Sequence, residues 1–260
     1  MALHEAIDTG TAKKAELLGN DFPRFAVRAI LAGIYLTLGT AFAAVAGNVT
    51  ENLAPGTGPL VFALFFGLGL FAIVILGAEL ATGDMMFGSW GAARGQFSWG
   101  KALWLMIAAT IFNLVGAIIV AFIMSQSGKL GGMDSTHLIA TLTEGKLAKP
   151  VSGMFLEAIA ANFVVNMAVV GALKASDIVS KFVVIIPLIA IFVGLGLEHV
   201  IANFSLFTLA FISDPQPAGF GAASIALNWA VVWVGNMIGG GLGIGAVYAW
   251  LNKTKTSYLD

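Results

Sequence analysis

Six long apolar runs, separated by short polar stretches, constrain this chain more than any other feature of its sequence. They cover roughly residues 25–47, 59–87, 102–124, 153–173, 182–212 and 222–251. Each reaches the roughly 20 apolar residues that a helix needs to cross a hydrocarbon core. Lipid offers no partner to a bare backbone N–H or C=O, so the runs are expected as helices. Only 10% of residues are charged, far below the roughly 25% of soluble domains. The chain therefore reads as an all-α integral membrane protein with six transmembrane spans, and the lipid bilayer is its first partner. A formal net charge of -1 supplies no field for nucleic acid. The absence of cysteine excludes a disulfide framework, thiolate metal sites and a cysteine nucleophile.

Six crossings place both termini on one side. That side collects Lys13, Lys14, Arg24, Arg28, Arg94, Lys101, Lys174, Lys181, Lys253 and Lys255, and the other holds only Lys129, Lys146 and Lys149. The excess of basic residues predicts cytoplasmic termini for a multi-pass protein of the inner (plasma) membrane. The first 20 residues are polar and mixed in charge, without the apolar core of a signal peptide. Residues 1–24 read as an N-terminal cytoplasmic amphipathic segment. Leu3, Ile7, Leu17 and Leu18 are its larger apolar positions, either at the membrane interface or simply frayed. Residues 25–251 form the membrane domain and 252–260 a cytoplasmic C-terminal tail. The polar stretch 125–152 is expected as an extramembrane loop.

The second and fifth runs are both overlong and both interrupted. Gly77-Ala78-Glu79-Leu80-Ala81-Thr82-Gly83-Asp84 breaks one, and the stretch from Gly194 to Phe204, with Glu198, His199 and Asn203, breaks the other. The breaks fall at the second position of each three-span half, and an odd number of spans inverts one half relative to the other. Paired interruptions of this kind point to a transport site near the bilayer midplane. Ionisable groups at that depth are functional candidates because they are costly to place there. Glu79 and Glu198 occupy equivalent places and are expected to accept hydrogen bonds from backbone N–H groups freed at the breaks. Asn113, Asn228 and Asn236 read as interhelical packing. No enzyme emerges: His4, His137 and His199 lie far apart, without metal-ligand spacing, and no phosphate-binding loop occurs. No catalytic residue, metal or cofactor is expected.

Three stretches carry a resemblance. Glu79-Leu80-Ala81-Thr82-Gly83, then Glu157-Ala158 with Asn166, then Glu198-His199-Val200-Ile201-Ala202-Asn203-Phe204 resemble the signatures of the formate/nitrite transporter family. The resemblance implies an aquaporin-like fold of inverted three-span repeats, assembled as a homopentamer with one pore per protomer. It implies passage of small monovalent weak-acid anions or their conjugate acids: formate first, with lactate, acetate or nitrite beside it. The alternatives are a hydrosulfide or nitrite channel of the same family and an aquaporin-type channel for neutral solutes. The last should carry paired Asn-Pro-Ala boxes, which are absent.

Carried over by position, His199 is the central pore histidine, Thr82 the threonine that faces it, and Asn166 the pore asparagine. Lys149 stands for the vestibule lysine, one place off register. Leu70, Leu80 and Phe192, with Phe66 nearby, match apolar constrictions. Two departures stand out. Ala81 replaces a bulky phenylalanine, which implies a wider gate and a wider substrate range. Asp84 replaces a neutral residue, where its charge would disfavour anions or pair with a loop residue. The physical reading is that a bare anion cannot lose its hydration in an apolar ring, whereas its neutral acid passes. Histidine titrates near physiological pH, so the proton comes from His199 or from water.

Overall fold

The computed structural model describes residues 2–254, and the expectation for Lys255 and the last residues of the tail lies outside them. The described residues are helical apart from connections and two short breaks. Helix α1 spans Leu3–Asn20, α2 Phe22–Leu53, α3 Gly58–Leu76, α4 Ala81–Ala93, α5 Trp99–Met124 and α6 Leu138–Leu147. Helix α7 spans Val151–Lys174, α8 Ile178–Gly194, α9 Val200–Ala210 and α10 Ala222–Asn236. A π-helix, Met237–Ala246, continues α10 into the short α11, Val247–Leu251.

Five helices are long and apolar enough to cross a membrane: Phe22–Leu53, Gly58–Leu76, Trp99–Met124, Val151–Lys174 and the composite Ala222–Leu251. Helices α8 and α9 are apolar but shorter. Large apolar side chains such as Leu60, Phe122, Leu156, Val179 and Trp250 are left exposed. Water would not tolerate so wide an apolar surface, so this is a multi-pass membrane protein. Where helices touch, small residues let backbones approach. A β-carbon on Gly33 or Gly116 would collide with the Asn113 or Ile30 carbonyl across the α2–α5 contact.

Local chemistry sets the helix ends. Asp21 caps α2 by accepting from the Arg24 N–H, Asp177 caps α8 from the Ser180 N–H at 2.9 Å, and Ser98 caps α5. Both breaks start at a glycine in the left-handed region, Gly77 with φ 66° and Gly196 with φ 67°. The breaks are shorter than the sequence predicts. Helix α4 resumes at Ala81 and α9 at Val200, so Thr82, Asp84 and Asn203 are helical.

Two segments differ from expectation. The 125–152 stretch holds α6, whose Leu138, Ile139, Ala140 and Thr143 are buried. Helix α1 is docked rather than loose. It buries Leu3, Ile7, Thr11 and Leu18, and its Asp8 receives the Trp90 Nε1–H at 2.7 Å and the Arg94 guanidinium at 3.1 and 3.2 Å.

Candidate functional site

The site grows out of the two breaks, which are built alike. In the first, the Asn113 carboxamide of α5 accepts the Ala81 N–H at 3.0 Å and donates to the Glu79 and Ala29 carbonyls at 2.9 and 2.7 Å. In the second, Asn236 of α10 accepts the Val200 N–H at 2.8 Å and donates to the Glu198 and Ala158 carbonyls at 2.9 and 2.7 Å. Each asparagine thus ties a broken strand of backbone to one helix of its own half, α2 or α7. A helix interrupted at membrane depth needs such partners.

The glutamates do something else. Glu79 pairs with Lys14 of α1 and, at 3.5 Å, with Arg28 of α2, whose guanidinium also donates to the Gly77 carbonyl. Glu198 pairs with Lys146 at 3.0 Å and Lys149 at 2.8 Å, and Lys149 also donates to the Gly196 carbonyl at 2.6 Å. So each break carries a buried carboxylate clamped by two cations, one of which also holds the glycine carbonyl. Backbone capping, which the sequence reading gives to the glutamates, belongs to Asn113 and Asn236. The reason is reach: each asparagine sits on a neighbouring helix facing the gap, while each glutamate turns away toward cations outside it.

Between the breaks, His199 Nε2 and Thr82 Oγ1 lie 2.9 Å apart. His199 is also the N-cap of α9: its Nδ1 accepts the Ala202 N–H at 3.1 Å. An acceptor nitrogen carries no proton, so the neutral ring bears its hydrogen on Nε2 and donates it to Thr82. That leaves the hydroxyl hydrogen of Thr82 free to point elsewhere. The pair is buried, with His199 3% and Thr82 0% exposed.

Cavities approach the pair from both directions. One, of about 270 Å³, is lined by Lys13, Lys14, Arg28, Lys181, Leu70, Leu80 and Gly83. The other, of about 70 Å³, is lined by Lys146, Phe66, Phe192, Leu197 and Ala202. Leu80 and Gly83 bracket Thr82, and Leu197 and Ala202 bracket His199. Neither member of the pair lines either cavity, though chain neighbours of Thr82 line one and those of His199 the other. The Phe192 ring lies 5.6 Å from the imidazole, and Phe66 lies 5.8 Å beyond it. Positive charge lies at both ends. Burial works against the charge on Lys14, yet Asp84 and Glu79 hold its pKa above the ordinary lysine range. Burial lowers that of Lys146 despite Glu198.

A family model described as formate/nitrite transporter matches residues 1–250. The chain belongs to the formate/nitrite transporter family. The nitrite transporter NirC of Escherichia coli (strain K12) is 32% identical over 247 residues, covering 95% of this chain and 90% of that protein. A solved FNT family ion channel superposes with a TM-score of 0.88 at 29% identity, over 95% of this chain and 98% of its own. A pentameric formate channel with formate bound gives 0.71 at 26% identity, over 88% and 96%.

Within this formate/nitrite transporter fold, the residues singled out by resemblance distribute over the buried pair, the two cavities and the cation clamp at Glu198. His199 and Thr82 are hydrogen-bonded. Asn166 donates to the Thr82 carbonyl at 3.2 Å, as does Asn162. Leu70 and Leu80 line one cavity, and Phe66 and Phe192 the other. Asn203 donates to Glu198 at 2.6 Å and to Asn228 at 2.8 Å. Two placements differ from the expectation. Lys146, not Lys149, lines the smaller cavity; both pair with Glu198, Lys146 also donating to the Leu197 carbonyl and Lys149 to Glu157 and the Gly196 carbonyl. Asp84 pairs with Lys14 of α1 at 2.6 Å rather than with a loop. Ala81 is fully buried and, like Thr82 and His199, lines neither cavity. The sequence reading passed over Lys14, Arg28, Lys146 and Asn162. The available signal was pattern: asparagine in the third run of each half, Asn113 in one and Asn228 and Asn236 in the other, and basic residues upstream of each break.

Proposed function

We propose that the chain conducts small monovalent weak-acid anions, formate and nitrite foremost, which cross its narrowest part as the neutral acid. The observation that carries this reading is the buried His199–Thr82 pair, with a cavity against the chain neighbours of each member and with lysine and apolar side chains lining both cavities. Lysines concentrate the anion. The apolar lining admits it only after protonation, because a desolvated charge is prohibitive there. The free hydroxyl hydrogen of Thr82 then meets the permeant oxygen, while His199 holds Thr82 in place. Protonating His199 at Nδ1 would break the cap of α9, so the proton is drawn from water in the cavity.

The same reading extends to the whole chain. The α3–α4 and α8–α9 pairs each act as one broken crossing, giving six spans in two inverted three-span repeats, as the matching asparagine and carboxylate arrangements support. The lysine-rich cavity faces the cytoplasm with both termini, in the inner (plasma) membrane. The protomers assemble as a homopentamer, as in the pentameric formate channel that the fold resembles.

Uptake of formate and nitrite into proteoliposomes tests the reading. The wild type should take up both. Thr82→Val, which keeps the shape and loses the hydroxyl, should slow uptake by about tenfold, the worth of one hydrogen bond to a polar permeant. Wild-type vesicles no faster than protein-free ones would refute the reading. Undiminished uptake by Thr82→Val would remove Thr82 from it.

A further inference from the structure

The wall behind Thr82 is made by two carboxamides and a glycine. Asn162 Nδ2 and Asn166 Nδ2 both donate to the Thr82 carbonyl at 3.2 Å. Asn162 Nδ2 also donates to the Asn236 carbonyl at 2.8 Å, and Asn166 Nδ2 to Asn162 Oδ1 at 2.9 Å. All three asparagines and Thr82 are fully buried. The carboxamides pack against Gly240 of the π-helix Met237–Ala246. A π-helix of ten residues is unusual, because such helices occur mostly as single-turn bulges, often at functional sites.

The glycines of this π-helix face different neighbours. A β-carbon on Gly239 would meet the backbone carbonyl of Ile159, one on Gly245 that of Met86, and one on Gly241 the Ser89 Oγ. One on Gly243 would meet the Phe163 ring at 3.1 Å and, in ordinary contact, the Ile238 carbonyl at 3.6 Å. Gly240 is the one that faces the site: a β-carbon there would fall closer than 3.0 Å to the Nδ2 atoms of both Asn162 and Asn166 and to Cγ of Asn162. No flexible tail is available to give way, since both nitrogens are held by hydrogen bonds.

We propose that Gly240 is a positioning residue for permeation: its missing side chain lets Asn162 and Asn166 seat against the π-helix and so fixes the height of Thr82 opposite His199. This rests on the reading of the His199–Thr82 pair as the permeation site. A methyl group at Gly240 pushes the two donors off the Thr82 carbonyl and displaces the hydroxyl that the permeant meets.

The test is a double-mutant cycle with Asn162, in proteoliposomes of the full chain, with formate and nitrite as probes. Gly240→Ala should lower formate uptake by about tenfold, within the range of coupling between touching residues. It should also change the formate-to-nitrite uptake ratio, because the displaced hydroxyl meets the two anions differently. In an Asn162→Ala background two of the three obstructed atoms are gone and Asn166 Nδ2, released from Asn162 Oδ1, has room to move aside, so Gly240→Ala should change uptake less than about twofold. Gly243→Ala, beside the Phe163 ring, should behave as wild type. Equal losses in both backgrounds, an unchanged ratio, or wild-type uptake by Gly240→Ala would overturn the proposal. If Gly240→Ala does not assemble, recovery of assembled, conducting protein in the double variant supports the proposal, and failure to recover overturns it. If the wild type conducts neither anion, the functional reading falls alone. The seating of the carboxamides is then read from thermal unfolding in detergent, where Gly240→Ala should lower Tm only with Asn162 present.

Discussion

A primary carboxamide has two donor hydrogens and an acceptor oxygen, and Asn113 and Asn236 each use all three on backbone groups of a break. Asn113→Ala should leave the Ala81 N–H unpaired and strip the Glu79 and Ala29 carbonyls of its two donors, at about 1–3 kcal/mol for each buried group left unpaired. Thermal unfolding in detergent should show a clear loss, and a variant as stable as wild type would remove Asn113 from this role. Asp84 invites a sharper comparison. Asp84 and Asn203 each lie five residues after the glutamate of their break. Asn203 donates straight to Glu198, but Asp84 is a second carboxylate beside Glu79, and Lys14 must bridge them. Lys14→Met should therefore cost about 3–5 kcal/mol, the usual cost of stranding a buried charge. In an Asp84→Asn background the same substitution should cost much less, because residue 84 then donates to Glu79 itself. Equal destabilisation in both backgrounds would contradict this. His199 and Thr82 were legible in the sequence because their chemistry is out of place in an apolar run. Asn113 and Asn236 were not, because an asparagine reveals its partners only once helices far apart in sequence are packed.

At the scale of elements, the long helices follow directly from the apolar runs, and the glycines of the breaks mark where two of them stop. Short or irregular elements were hidden. Helix α6 lies in a polar stretch with Gly145 near its end, so no apolar run announces it. Its start depends on tertiary groups: the Leu138 N–H goes to Asn48 Oδ1 at 2.9 Å, and the Ile139 N–H to His137 Nδ1 at 3.2 Å. The π-helix was equally invisible, since its glycines fit an α-helix as well. The α6 cap also predicts a pH effect. Burial lowers the pKa of His137 from its ordinary 6.5, with Asp134 working the other way. The docked helix thus favours neutral His137, and the undocked one takes up a proton first. The stability this lends α6 is full above 6.5 and is lost as pH falls below it toward the depressed value. Amide hydrogen exchange in α6 should therefore quicken, relative to intrinsic rates, between about pH 7.5 and pH 5.5, the range in which histidine titrates. His137→Asn, which keeps a capping acceptor without a titrating ring, should abolish the change. A persistent change in that variant would place the sensor elsewhere.

For the molecule as a whole, the apolar runs and the one-sided distribution of basic residues made the membrane fold readable. The likeness of the two halves was visible only as a pair of Gly-x-Glu breaks. The structure adds the substance of that likeness: one asparagine, one clamped carboxylate and one left-handed glycine at each break. It also shows where the halves differ. His199 stands where the first break has Leu80, and Thr82 where the second has Ile201, so the two polar groups meet between the breaks and nothing duplicates them. Lysines line both cavities, and in the wall that we propose between them the polar groups are this pair and the uncharged carboxamides behind Thr82. A charged permeant has no counter-ion there, and a neutral acid needs none. The central claim is therefore that each anion crosses with a proton. The most direct measurement follows formate uptake and internal pH together in proteoliposomes, with membrane voltage recorded. Neutral-acid passage predicts one proton taken up for each formate, and no current. Formate uptake that carries current without proton uptake would contradict it.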